Sequence, residues 1–395
     1  MATARMGGTM TGTGIVGGTV LHDGTPVLRD VTLQADDGEL LVILGPSGSG
    51  KTTFLRAVAG LDKLSAGEVF VRGRRVTGLP TGERRLSMVF ESGSLIPFLD
   101  VAHNLEWGLK LRNMPEAERQ ERVGLRVRQL RLSRLLARRP SQLSGGERGL
   151  VGIGHALGQA PDAFLLDEPL GDLDAQQRVE VRRQIVSVVR SLGVTTLYVT
   201  HDQAEGLAVA DRVVLFARGA VVQTGRGRDL YERPVDLLVA GFVGAPPIGL
   251  LPAQLVVRGG QAGFEVGPRT LPLWGPVPPP LEEYVGRDVV LGLRAEDVPD
   301  AAGGSDPDAV SLDGIVTHVE YTGRQNVVTV AVDAPPVIAP DVEPSGGATL
   351  HALFPPRDIV RTRQPVRVAV EAARAHVFDA VTGKALWHPD GPPAV

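Results

Sequence analysis

Gly45-Pro46-Ser47-Gly48-Ser49-Gly50-Lys51-Thr52 fits the spacing G-x-x-x-x-G-K-[ST], and Thr53 follows it directly. Glycines let the backbone curl until successive N–H groups point inward, where they can hold phosphate oxygens. A helix opening at this turn adds about half a positive charge from its dipole. Lys51 would reach the β- and γ-phosphates of a triphosphate, and the Thr52 hydroxyl would hold Mg²⁺, which takes oxygen ligands. Further along, Phe164-Leu165-Leu166-Asp167-Glu168 ends an apolar run in two carboxylates. Two acids after a strand are often a plain surface turn, but the glycine loop upstream favours chemistry. Asp167 would then support the metal, and Glu168 would orient or deprotonate a water attacking the γ-phosphate. Leu143-Ser144-Gly145-Gly146-Glu147 precedes a helical stretch. Ser144 can cap that helix, and Gly145 and Gly146 let a backbone approach an anion closely.

These residues need elements to position them. Val27–Leu33 and Leu40–Leu44 read as strands, with a turn at Asp36-Asp37-Gly38 between them. Thr52–Ala59 reads as a helix opening straight after the glycine loop. Phe164–Leu166 and Thr195–Thr200 read as short buried strands, and Val213–Phe216 with Ala220–Gln223 as a closing hairpin. Strand–helix alternation of this kind predicts an α/β domain with parallel strands. Between Phe98 and Ser141 the pattern turns helical, and Glu116–Arg139 carries Val123, Val127, Leu130 and Leu135 near a 3.6 period. After about Gly244, Pro and Gly rise and short β-branched runs dominate, such as Val289–Leu293 and Val327–Val332, which predicts a small all-β barrel. The boundary is expected near Asp236–Ala245.

The whole chain has 395 residues, enough for two or three domains. Lys and Arg total 41 against 45 Asp and Glu, a net charge of -4, which argues against nucleic acid as the main partner. Cysteine is absent, so disulfides and thiolate metal sites are excluded. The charge-poor window Leu237–Val257 is long enough to raise a membrane span. Its prolines and glycines predict loop and buried turn instead. The first residues lack an apolar signal-peptide core, and a flexible tail is expected over residues 1–14.

Together these motifs resemble the ATP-binding subunit of ABC transporters. Leu143–Glu147 is similar to the family's signature segment, Asp167-Glu168 to its metal-and-base pair, Gly171–Asp174 to its D-loop, and His201, in Thr200-His201-Asp202, to its switch histidine. The resemblance implies an α/β P-loop NTPase fold over residues 15–240, with a helical subdomain at about 92–160. It implies an all-β OB-like (TOBE-type) regulatory domain over 241–395. ATP and Mg²⁺ are the implied nucleotide and cofactor. Two ATPase subunits, identical or different, would sandwich two nucleotides. Ser144, Gly145, Gly146 and Glu147 of one would face the phosphate loop of the other, and Asp174 would join that interface. Glu168 would be the catalytic base, and His201 would orient the γ-phosphate and water.

The carboxyl half resembles the extra β domain of sugar-importer ATPases of the maltose and glycerol-3-phosphate type. The resemblance rests on Val239–Ile248, Leu291–Asp297 and His376–Asp379 followed by Thr382-Gly383. This branch implies two integral membrane permease subunits, an extracytoplasmic solute-binding protein, and a peripheral seat on the cytoplasmic face of the membrane. Leu95–Val101 resembles the stretch that receives the permeases. Sugar is the implied solute, and polyamine, sulfate and iron importers share a similar ATPase.

Three places depart from the family pattern. Glu91 stands where a glutamine usually ligands Mg²⁺; it still offers oxygen to the metal but puts a charge near the triphosphate. At about 4 Å and an effective dielectric near 20, two charges interact by about 4 kcal/mol. His22 stands near where an aromatic residue usually stacks on adenine. The helix after the signature carries Gly149, Gly152 and Gly154, each costing about 1 kcal/mol against alanine. A catalytically impaired partner in a heterodimer is the alternative these departures raise.

Overall fold

Leu40–Leu44 and Ala163–Leu166 carry no polar residue, as strands covered on both faces require. Both lie in the middle of a sheet in the computed structural model, which describes residues 12–90, 95–158, 161–171, 174–273, 275–301, 310–342, 347–389 and 391. Glu91 falls outside the described residues, as do Asp172 and Leu173 of the D-loop-like segment. The chain divides into two units, Met1–Gly227 and Arg228–Val395.

The first unit begins with β1 (Thr13–His22), β2 (Thr25–Ala35), β3 (Leu40–Leu44), α1 (Lys51–Ala59), β4 (Ala66–Val71), β5 (Arg74–Arg75) and β6 (Leu86–Val89). Three helices follow, α2 (Val101–Leu111), α3 (Glu116–Gln129) and α4 (Gly145–Gly158). The unit closes with β7 (Ala163–Asp167), α5 (Ala175–Leu192), β8 (Thr195–Val199), α6 (Gln203–Val209), β9 (Arg212–Ala217) and β10 (Ala220–Gly225). One sheet is antiparallel in the order β2-β1-β4-β5. The other runs β10-β9-β3-β8-β7-β6, parallel except at the β10 edge. Parallel direction brings the carboxyl ends of β3, β7 and β8 to one edge, where ligands of open α/β sheets bind. Beneath that edge, Leu41, Ile43, Leu165, Leu197 and Val199 bury against Phe54, Leu55 and Val58 of α1. Each such side chain contributes roughly 1.5–3 kcal/mol.

Two expectations change here. Thr13 is buried and pairs with Ala35, so the tail expected through residue 14 gives way to strand by Thr13. Glycines at 14, 17 and 18 hide the alternation of β1. The helix expected through Arg139 ends at Gln129. Arg131 turns left-handed (φ 56°), and the Leu132 amide folds back on the Val127 carbonyl at 2.9 Å, a helix-ending arrangement that buries Leu132.

In α2, Asn104 is fully buried. Its Oδ1 accepts from the Ile96 amide (2.7 Å), and its Nδ2 donates to the carbonyls of Ile96, Leu99 and Asp100. One side chain thus ties down the turn that leads into α2. His155 of α4 donates from Nδ1 to the Asn104 carbonyl at 2.5 Å.

The second unit holds α7 (Gly227–Glu232, which starts at the division), α8 (Leu237–Phe242), β11 (Gly249–Arg258), β12 (Gln261–Val266), β13 (Arg269–Pro272) and β14 (Asp288–Leu293). It continues with β15 (Val310–Tyr321), β16 (Asn326–Val332), β17 (Thr349–Phe354), β18 (Pro365–Val370), β19 (His376–Asp379) and β20 (Ala385–Trp387). These strands make a ten-stranded antiparallel sheet around an apolar core that includes Leu255, Phe264, Leu291, Val328, Leu350 and Val368. The division falls at 227/228 rather than near residue 240, and Arg294 supplies the reason. Its buried guanidinium donates to the carbonyls of Tyr231 (2.8 Å), Ala240 (3.1 Å) and Val243 (2.6 Å), tying residues 231–243 to the sheet. The window 237–257, expected as loop and turn, contains α8 and β11. Pro252 sits inside β11, between the β17 pairing at Leu250 and the β12 pairing that starts at Gln254. Among the described residues no helix is long and apolar enough to cross a membrane.

Candidate functional site

β3 delivers the chain into the glycine loop at the carboxyl edge of the parallel sheet. A Cβ at Gly45 (φ 151°) would lie 2.1 Å from the Phe216 carbonyl oxygen. At Gly50 (φ 103°) it would lie 2.9 Å from Leu28 Cδ2 and 3.1 Å from the Val27 oxygen. Only glycine fits either place. Gly50 precedes α1, and no side chain caps this helix, so the donors of its first turn are left to a ligand or water. An open cleft of about 300 Å³ results, lined by Val27, Ser47, Gly48, Ser49, Gly50, Lys51, Thr52, Thr53 and Glu168.

Lys51 is buried, and its Nζ donates to the carbonyls of Gly45 (2.9 Å) and Pro46 (2.8 Å). Burial lowers its pKa, while Glu168 and Asp167 pull the other way. The Ser49 hydroxyl is buried without a hydrogen-bond partner. Thr52 donates from Oγ1 to Asp167 Oδ1 at 3.1 Å, so two of the three expected metal ligands meet where α1 starts and β7 ends, the third, Glu91, lying outside the described residues.

Glu168 follows β7 in a left-handed conformation (φ 46°), unusual for a residue with a Cβ. Its amide donates to Val199 of β8 (3.0 Å), locking the turn to the neighbouring strand. Its Oε2 lies 2.8 Å from His201 Nδ1. A carboxylate only accepts, so the ring donates from Nδ1 and a neutral imidazole keeps Nε2 as an acceptor.

The structure thus brings Lys51, Thr52, Asp167, Glu168 and His201 together. Ser144, Gly145, Gly146 and Glu147 open α4 and are not among the residues lining the cleft. The Ser144 amide donates to Glu147 Oε2 (2.8 Å), and the Glu147 amide donates to Ser144 Oγ (3.3 Å), a reciprocal capping box. Asp174 caps α5 by accepting from the Gln177 amide at 2.8 Å. His22 is exposed at the end of β1 and does not line the cleft.

Two residues escaped sequence reasoning. Val27 reaches the cleft only because β2 packs beside the loop, and no local pattern announces that. Glu205 in α6 is a buried carboxylate that accepts from the Tyr198 hydroxyl and from Thr200 Oγ1 (3.0 Å). Burial pushes its carboxyl up to about 7; Arg182 and Arg178 pull it down, and Glu168 adds to the rise. The only sequence signal was an acid three residues after a capping Asp202, which ordinary helix starts share.

The ABC transporter family model matches residues 28–171. An sn-glycerol-3-phosphate import ATP-binding protein of Cereibacter sphaeroides is 40% identical over 92% of this chain and 97% of its own. A trehalose/maltose import ATP-binding protein of Thermococcus litoralis is 37% identical over 91% of this chain and 95% of its own. A trehalose import ATP-binding protein of Mycobacterium tuberculosis is 38% identical over 93% and 96% respectively.

Proposed function

This chain belongs to the ABC transporter family, among its import ATP-binding proteins, and from that premise we propose how its residues bind and split ATP to drive uptake of a sugar-class solute. Lys51 leaves the Gly45 and Pro46 carbonyls for the β- and γ-phosphates, while the amides of residues 47–53 hold their oxygens. The oxygen pair of Thr52 and Asp167, 3.1 Å apart, suits Mg²⁺ in chemistry and position. Bound there, Mg²⁺ would neutralise charge on the phosphate oxygens. Glu168 accepts the proton of the attacking water. His201, steadied by its Nδ1 bond to Glu168, turns Nε2 toward the reacting groups, where it accepts from the attacking water when neutral and donates to a γ-phosphate oxygen when protonated. The observation that carries this reading is the 2.8 Å contact between Glu168 and His201 at the glycine-loop cleft.

A second ATPase subunit completes each site in this reading. Its Ser144 and Gly146 amide seal the γ-phosphate from across the interface, with Gly145 permitting the approach and Glu147 keeping Ser144 in its cap. Two permease subunits dock on residues 95–101, which Asn104 holds in shape. They hold the chain at the cytoplasmic face and receive solute from an extracytoplasmic binding protein. The second unit serves as an OB-like (TOBE-type) regulatory domain. Polyamine, sulfate or iron remains the alternative cargo. The impaired-partner alternative loses one support, because Gly154 answers to packing: a Cβ there would lie 2.7 Å from Leu105 Cδ2.

The test is ATP hydrolysis by the full chain with its permeases and binding protein in vesicles, against a panel of solutes. Stimulation by glycerol-3-phosphate, trehalose or maltose is expected. Stimulation only by spermidine, sulfate or ferric iron would move the solute class, and none at all would remove the importer reading.

A further inference from the structure

The loop that carries His201 is held by a closed ring of hydrogen bonds. Thr200 Oγ1 donates to Glu205 Oε2 at 3.0 Å and accepts from the Asp202 amide at 3.0 Å. Asp202 Oδ1 accepts from the Glu205 amide at 3.0 Å, which closes the ring. The Tyr198 hydroxyl also donates to Glu205, and Arg178 of α5 holds Asp202 Oδ2 at 3.1 Å. His201 lies between the two ring members Thr200 and Asp202.

Glu205 is only 3% exposed. A carboxylate so placed is costly to desolvate, and no cation bonds to it directly among its described contacts. Stability alone favours an apolar side chain at such a site. Gly206, the next residue, holds α6 close to β3: a Cβ there would lie 2.8 Å from Leu44 Cδ2. The helix start that presents Glu205 therefore has little room to shift.

We propose that Glu205 is a positioning residue for hydrolysis, its carboxylate holding Thr200 Oγ1, which in turn holds the Asp202 amide and so fixes the backbone around His201. The inference rests on the assignment of Glu168 and His201 to the hydrolytic step. It requires no contact between Glu205 and ATP, so rate and affinity separate.

The experiment measures kcat, KM for ATP and thermal midpoint of the full-length chain carrying Glu205→Gln, His201→Ala or both. Glu205→Gln is expected to lower kcat by about tenfold, the scale of one buried hydrogen bond. KM stays within about twofold, and the double variant is no slower than His201→Ala alone, as expected of residues acting as one unit. Four results overturn the inference. A wild-type rate for Glu205→Gln beside a slow His201→Ala refutes it while sparing the proposed function. Further slowing by Glu205→Gln in the His201→Ala background, or a joint loss of affinity and thermal midpoint, marks an ordinary structural residue. A wild-type rate for His201→Ala removes the hydrolytic assignment and this inference with it. Should Glu205→Gln fail to fold, Thr200→Val cuts the same ring, and the same comparisons apply.

Discussion

Gly152 and Gly154 lie in one helix, two residues apart, and alanine should act on them in opposite ways. Both positions regain about 1 kcal/mol of helix propensity on substitution. At Gly152 an added Cβ meets nothing within 4 Å. At Gly154 it meets Leu105 Cδ2 at 2.7 Å and Leu130 Cδ1 at 3.1 Å, so α2 and the end of α3 must move or the leucines must leave their rotamers. Overpacking of that kind costs about 1–3 kcal/mol, which cancels or exceeds the propensity gain. Gly152→Ala should therefore stabilise α4 by about 1 kcal/mol, and Gly154→Ala should leave it unchanged or weaken it. Hydrogen exchange of the α4 amides in the full-length chain reads this locally. Protection rises about fivefold for Gly152→Ala, the factor that corresponds to 1 kcal/mol, and does not rise for Gly154→Ala. Equal gains at both sites would refute the packing argument. They would return α4 to the simpler picture of a helix weakened by glycines.

Asn104→Ala should cost about 1–3 kcal/mol, because it takes the side-chain partner from the Ile96 amide and the Leu99 carbonyl, while the Ile96 and Asp100 carbonyls keep their backbone donors. Denaturant unfolding measures the loss, and permease-stimulated hydrolysis should fall more than hydrolysis by the isolated chain. In the second unit, burial holds His376 well below the ordinary histidine pKa, and His388 and Arg294 add to the effect. The unfolded chain then binds a proton that the folded second unit refuses, so this group's contribution to that unit's stability falls as pH drops below about 6.5, by up to about 1.4 kcal/mol per unit, while Glu205 in the first unit contributes with the opposite sign. His376→Phe should flatten that slope in urea melts between pH 7 and 5.

The glycine loop, the carboxylate pair and His201 were legible because each is a short contiguous pattern whose chemistry is local. Asp167 and Thr52 are 115 residues apart, yet parallel strands bring their ends to one edge, and strand–helix alternation announces such an edge. Glycines concealed β1 by interrupting its alternation. The proline-rich window around Pro252 looked like loop because a strand can carry proline where a neighbouring strand leaves a gap, and that gap is a tertiary fact. The limits of the first unit depended on Arg294, whose three carbonyl contacts lie more than fifty residues back. Ser144 and Glu147, expected at a nucleotide across an interface, cap α4 reciprocally, and a short polar signature does not separate the two roles. Glu205 stayed hidden because burial, not spacing, distinguishes it from other acids in a first helical turn.

In the proposed function, Glu168 removes the proton from the attacking water at a site that Lys51 and the loop amides assemble. The most direct test of that step is Glu168→Gln in the full-length chain, with ATP binding and hydrolysis measured on the same preparation. ATP should still bind while hydrolysis falls by about 100-fold or more, the scale of a lost general base. A Glu168→Gln chain that splits ATP as fast as the unaltered protein would contradict that role.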